Sequence, residues 1–195
     1  MTCYENSSSR IGPATPPLPP DVQEAIEAVM RGRPPLLLFT ALARDPRLFH
    51  KFFAGGFLDR GNLTIRQREI VIDRVTASCG AEYEWGVHVS VYADRAGLDG
   101  DHIASLTTGG ADDPCWSDEE RVLILLCDSL HNSCSIDDGL WSDLAAAYSD
   151  EAIIELLMLA GFYRTVSYLV SGLRLPLEPG APRFADVAVI AKPEA

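Results

Sequence analysis

Glu84 and His88 stand four residues apart in the string REIVIDRVTASCGAEYEWGVH, so on a helix their side chains share one face and can meet. A carboxylate beside an imidazole raises the imidazole pKa and fixes its tautomer, which a proton-transfer site requires. Glu69 lies earlier in the string, on a segment whose antiparallel return can bring it to the pair. Tyr83 and Trp85 flank Glu84 and are candidates to contact a substrate. The same spacing also fits a plain surface pair worth about 0.3 kcal/mol, and Tyr and Trp are often core or interface residues. The residues alone leave both readings open.

Decarboxylating or isomerising a small carbonyl acid without a cofactor needs three things: a group for the substrate carboxylate, an electron sink in the substrate, and an acid that delivers a proton to carbon. His88 is the candidate acid or base and Glu84 with Glu69 its relay, while Arg74 or Arg164 can bind an anionic group. No cofactor is called for. Nor is a metal, because carboxylate-bridged bundles use Glu-x-x-His twice and this chain has one Glu-x-x-x-His, with His50, His102 and His131 scattered. Cys3, Cys79, Cys115, Cys127 and Cys134 form no C-x-x-C pair and read as free thiols. Cys79, inside the string, is the candidate redox residue.

The elements that must hold these residues read as helices throughout. Residues 1–20, with Pro13, Pro16, Pro17, Pro19 and Pro20, form an extended arm. Asp21 is a candidate N-cap for an amphipathic helix with Val22, Ile26 and Val29 on one face, ended by Gly32 and Pro34. LLLFTALA and PRLFHKFFAGGFLDR give two more helices, parted near Asp45 and Pro46. Thr64 with Gln67 is a capping box that opens the helix carrying Glu69, and a second helix closing on Gly97 follows at once, so the two form a hairpin. Residues 99–108 make a short amphipathic piece, and Ser117 with Glu120 caps a helix apolar on most sides. DDGLWSDLAAAY is a further helix, and SDEAIIELLMLAGFYRTVSYLVSGL is the longest, with Gly161 and Gly172 as weak points. The expectation is an all-α, single-domain helical bundle with a central helix hairpin.

At the hairpin the sequence resembles the carboxymuconolactone decarboxylase and alkyl hydroperoxidase D superfamily. Its peroxidase branch spaces a glutamate, two cysteines and a histidine as Glu69, Ala81, Glu84 and His88 are spaced here. AEYEWGVH looks like the branch without the cysteine pair, and ELLMLAGFYRTVSYLVSGLRLPLE looks like the superfamily's closing helix. The likeness spans residues 36–178. It implies an alkyl hydroperoxidase D-like bundle over residues 21–178, a tail over 179–195, a homo-oligomer (trimer or hexamer), and a pocket near the hairpin and a subunit boundary. Disulfide-cycling peroxidase chemistry needs an attacking and a resolving thiol, and Ala81 and Glu84 supply neither. Cys79, two residues upstream of the first cysteine position, would lie about 200° around a continued helix from it. Three functions stay open: a cofactor-free lyase or isomerase using His88, Glu84 and Glu69; a thiol-dependent peroxidase using Cys79; and a non-catalytic ligand-binding protein.

Composition narrows the partners. The 195 residues carry 16 Lys plus Arg against 28 Asp plus Glu, a formal charge of -12, and a surface of that sign repels phosphate backbones and anionic membranes. A small-molecule substrate is the expected partner, without nucleic acid or membrane. The amino-terminal stretch lacks the apolar core of a secretory signal, and no segment approaches about 18 uninterrupted apolar residues, so a cytoplasmic protein is expected. Hydrophobic residues at 47% and charged residues at 23% suit a packed globular chain.

Overall fold

The helix that carries Glu69 starts where its cap residues place it. In the computed structural model, which describes residues 9–57 and 59–187, Thr64 Oγ1 accepts from Gln67 N at 3.2 Å while Gln67 Oε1 accepts from Thr64 N at 2.9 Å. The described residues form α1 (Pro20–Met30), α2 (Leu37–Leu42), α3 (Pro46–Ala54), α4 (Ile65–Ser78), α5 (Glu82–Ala96), α6 (Gly100–Thr108), α7 (Asp118–Ser133), α8 (Asp138–Ala147) and α9 (Asp150–Leu173). A 3-10 turn at Phe184–Asp186 follows, and no strand occurs among the described residues. The fold is all-α.

Helix α4 is the axis of the bundle, packing against α5, α6, α7 and α9. Its consecutive Ile70, Val71 and Ile72 are all fully buried, which is possible only for a helix enclosed on several sides. Each such side chain contributes about 1.5–3 kcal/mol of burial free energy. At the end of α4, Gly80 adopts a left-handed φ of 65°, and Ala81 N donates to Thr76 O at 2.9 Å. This tight stop reverses the chain within two residues and lays α5 back along α4. The hairpin is thereby set by one glycine.

Several boundaries differ from the sequence expectation. α1 begins at Pro20, whose ring suits the first helical position, so Asp21 is not the N-cap but lies in the first turn, where it pairs with His50 Nε2 at 2.7 Å. α3 stops at Ala54, because Gly55 and Gly56 follow. The described part of the arm is non-helical and lies on its own chain, with Arg10 N donating to Leu173 O and Ala14 N to Thr40 O, both at 2.8 Å. α7 buries Leu123, Ile124, Leu126 and Cys127 but leaves Leu125 44% exposed, so it presents one apolar face rather than most of its surface.

The described part of the segment after α9, within the tail expected over residues 179–195, runs back over α5 as a strap. Glu178 accepts from Leu37 N at 2.7 Å and from the Tyr83 hydroxyl, and Phe184 N donates to Glu82 Oε1 at 2.7 Å. Phe184 packs on Trp85, with ring centroids 4.9 Å apart. Gly86 makes room for this strap, since a Cβ there would meet Pro182 O at 2.7 Å. Residues 188–195 lie outside the described residues. α9, with 24 residues, is apolar and long enough to cross a membrane by length and composition alone. Ile153, Leu156, Leu159, Tyr163, Val166 and Val170 on its inner face belong to the bundle core, and Gly161 and Gly172 do not interrupt it.

Candidate active site

The hairpin brings Glu69, Glu84 and His88 together under cover. His88 Nδ1 lies 2.7 Å from Glu69 Oε2 and His88 Nε2 lies 3.5 Å from Glu84 Oε1, with His88 3%, Glu84 6% and Glu69 0% exposed. α4 supplies Glu69 and α5 supplies the i, i+4 pair, so the geometry follows from the antiparallel return at Gly80. Burial alone would lower the His88 pKa, but Glu69 and then Glu84 outweigh it and hold the imidazole well above its ordinary value. His88 is therefore an imidazolium whose Nδ1–H donates to Glu69.

Charge is balanced within this buried cluster. Arg68 Nε stands 3.4 Å from Glu69 Oε1, so two carboxylates face one guanidinium and one imidazolium. One turn along α4 from Glu69, the fully buried Asp73 carboxyl is pushed well above the usual carboxylate range by burial and by the Glu69 charge. Sequence inspection passed over Asp73, because only the packing around α4 encloses it.

His88 and Glu84 open onto a cavity of about 310 Å³. Its walls are largely aromatic and aliphatic: Phe39, Phe52, Phe53, Phe57 and Phe162 come from four separate parts of the chain. Tyr92 stacks on the His88 ring at 5.3 Å, and Tyr163 meets it edge-on at 5.0 Å. Arg33 and Asp59 also line the cavity, and the Arg33 Nε donates to Met30 O at 3.2 Å. Glu84 Oε2 is buried and has no hydrogen-bond partner among the described residues. A buried carboxylate oxygen without a partner is costly, so its presence beside the cavity marks a polar group kept there against that cost.

The other residues singled out in the sequence lie elsewhere. Tyr83 does not line the cavity: its hydroxyl donates to Glu178 and accepts from Leu38 N at 3.2 Å, which locks the strap and α2 to α5. Trp85 points to the opposite side, fully buried against Phe184. Both alternate with Glu84 along α5, and on a helix neighbours one residue apart cannot face the same way. Arg74 is held by Asp128 at 2.7 and 2.8 Å and donates to the carbonyls of Ser105, Leu106 and Gly109 at the end of α6. Arg164 Nε donates to the Tyr168 hydroxyl at 2.8 Å, and Cys79 Sγ lies 4.0 Å from His131 Nδ1; none of these lines the His88 cavity. Besides His88, the cavity's cationic side chain is Arg33, which follows a helix stop and carries no motif by which sequence inspection would find it. No group of three or more potential metal ligands occurs among the described residues.

No family model and no curated relative matches the sequence. Solved structures do match the fold. A peroxidase-related protein from Silicibacter sp. superposes with a TM-score of 0.78 at 18% identity, over 94% of this chain and 99% of that one. A peroxidase-related protein from Ralstonia eutropha, described as an alkylhydroperoxidase AhpD core, gives 0.76 at 16% identity, over 87% and 93%. A debrominase, crystallised as a cysteine-to-alanine variant with 2,3,4-tribromopyrrole, gives 0.75 at 14% identity, over 93% and 97%. The fold is that of the alkyl hydroperoxidase D-like helical proteins, in agreement with the superfamily that the hairpin string resembles. Within that fold this chain carries Ala81 and Glu84 where the peroxidase motif has its two cysteines.

Proposed function

We propose that this chain is a cofactor-free lyase or isomerase that moves a proton on a small, largely apolar cyclic acid or lactone held in the His88 cavity. The observation that carries this reading is the His88–Glu84 pair, both lining the cavity, with Glu84 Oε2 buried and without a hydrogen-bond partner among the described residues. A binding site for an apolar ligand alone gains nothing from such a group, whereas proton transfer needs it. In a decarboxylation, the bond to the carboxyl carbon breaks, CO2 leaves, and the electron pair moves onto the substrate's conjugated carbonyl. His88 Nε2 then delivers its proton to carbon, and a proton taken up from solvent, relayed through the Glu84 carboxylate, restores the imidazolium. Glu69 holds the ring through Nδ1, so Nε2 is the nitrogen that faces the substrate. Arg33 is the group placed to meet a substrate carboxylate.

The debrominase relative gives independent support for a ring-shaped ligand, since its complex holds a brominated pyrrole. A thiol mechanism is less well supported, because Cys79 does not line the cavity. The test is CO2 release from carboxylated lactones by the parent chain and by folded His88→Asn and Glu84→Gln variants. Loss of a general acid or base is expected to cost about 10²–10⁴-fold in turnover. Turnover that survives both changes would overturn the proton-relay assignment, and ligand binding without turnover in the parent would make the chain a binding protein.

A further inference from the structure

A second cluster of reactive side chains lies apart from the His88 cavity and shares no lining residue with it. Three helix ends and faces converge there: Cys79 caps the C-terminus of α4, His131 is in the last turn of α7, and Arg164 is on α9. Cys79 Sγ lies 4.0 Å from His131 Nδ1, and Arg164 Nη1 lies 3.3 Å from the same nitrogen. A cavity of about 180 Å³ is lined by His131, Arg164, Cys127 and Cys134 over Leu130 and Leu157; Cys79 is not in its lining and borders it through the His131 ring.

The geometry fixes the protonation pattern. A guanidinium can only donate, so His131 Nδ1 must present its lone pair to Arg164, and the ring proton sits on Nε2. Cys79 Sγ lies 4.0 Å from the same nitrogen, so His131 Nδ1 is the acceptor for the thiol proton when its contact with Arg164 gives way to an incoming anion. Arg164 is bonded to the Tyr168 hydroxyl and to His131, neither of them a carboxylate, so its charge is available to an incoming anion. The Tyr168 bond raises the Arg164 pKa, and Cys79 and Cys134 both lie close enough to add to the rise. Cys79 and His131 are half-buried rather than sealed.

We propose that Cys79, His131 and Arg164 form a second reactive site, a thiol nucleophile selective for small carboxylates that carry an electrophilic carbon. The thiol proton passes to His131 Nδ1 and on to solvent. The sulfur electron pair forms the C–S bond, and the leaving group departs with the pair of the bond that breaks, a halide where the electrophile is a halo acid. Arg164 holds the carboxylate of the reagent beside the sulfur. This site is independent of the His88 reading.

The experiment is alkylation of the whole folded chain by iodoacetate and, separately, by iodoacetamide, with the modified peptides quantified by mass spectrometry over time. The ratio of the iodoacetate to the iodoacetamide rate at Cys79 is expected to exceed that of free cysteine by about tenfold, the worth of one charge-assisted contact. Arg164→Gln should return the ratio to the free-cysteine value and Arg164→Lys should keep part of the preference, while His131→Asn should slow both reagents. The His88→Asn variant should label like the parent, which separates failure here from failure of the proposed reaction. A Cys79 ratio equal to that of free cysteine, or a preference that persists in Arg164→Gln, would overturn the proposal.

Discussion

Replacing Glu69 by Gln tests the electrostatic core of the site, because it keeps the shape and removes the charge that sits 2.7 Å from His88 Nδ1. Two unit charges about 4 Å apart attract by about 4 kcal/mol at an effective dielectric near 20, and removing one member of a buried pair costs about 3–5 kcal/mol. The cost depends on pH with a definite sign. In the parent, the folded His88 pKa is raised, so its stabilisation is complete below the unfolded value near 6.5 and is lost as pH rises through the higher folded value. In the variant, burial opposes the imidazolium with only Glu84, at 3.5 Å, left to support it. In the Glu69→Gln, Glu84→Gln double variant both carboxylates that outweigh burial are gone and only the buried Asp73 remains coupled to the ring, so the native state is expected to hold His88 neutral. Stability then rises with pH toward 6.5, by up to about 1.4 kcal/mol per pH unit, opposite in sign to the parent. Urea unfolding between pH 5.5 and 8.5 reads this directly, and the His88 ring resonances report the same titration by NMR. A deficit that is constant across this range would refute the reasoning, because it would mean that His88 does not change its proton count between the variants.

Asp73 and Arg74 give two further predictions. The raised Asp73 pKa means that the native state keeps a proton that the unfolded chain releases above about 3.8, so this residue destabilises the fold progressively as pH rises through that window. Asp73→Asn should therefore be more stable than the parent at pH 7, by at least about 1 kcal/mol, with the advantage shrinking toward pH 4; a thermal melt series over pH checks this. Arg74→Met should lower stability by about 2–3 kcal/mol, less than a fully buried pair because Asp128 is 31% exposed, and should leave ligand binding in the His88 cavity unchanged. Weakened binding at undiminished stability would instead return Arg74 to the role of substrate contact.

Local chemistry made much of this fold legible in the sequence. Capping boxes at Thr64 and Ser117 and left-handed glycines at Gly80 and Gly97 are decided by residues within one helical turn, so the hairpin and its flanking helices could be read directly. The i, i+4 pair of Glu84 and His88 is also a local matter, and so is the absence of the peroxidase cysteines at Ala81 and Glu84. What surrounds these residues is not local. Whether the pair is a surface contact or a buried relay depends on α9, α2 and α3 closing over α5, and the phenylalanines that form the cavity are spread between Phe39 and Phe162. Tyr83 and Trp85 share the motif string with Glu84, yet the helix turns them away, one onto Glu178 and the other onto Phe184, residues about a hundred positions later. Arg74 and Arg164 were distinguishable from Arg33 only by their partners, Asp128 in one case and Tyr168 with His131 in the other. Spacing along the chain fixes which side chains share a helix face; burial, which sets protonation, and the choice of cation facing the cavity arise from contacts between helices distant in sequence.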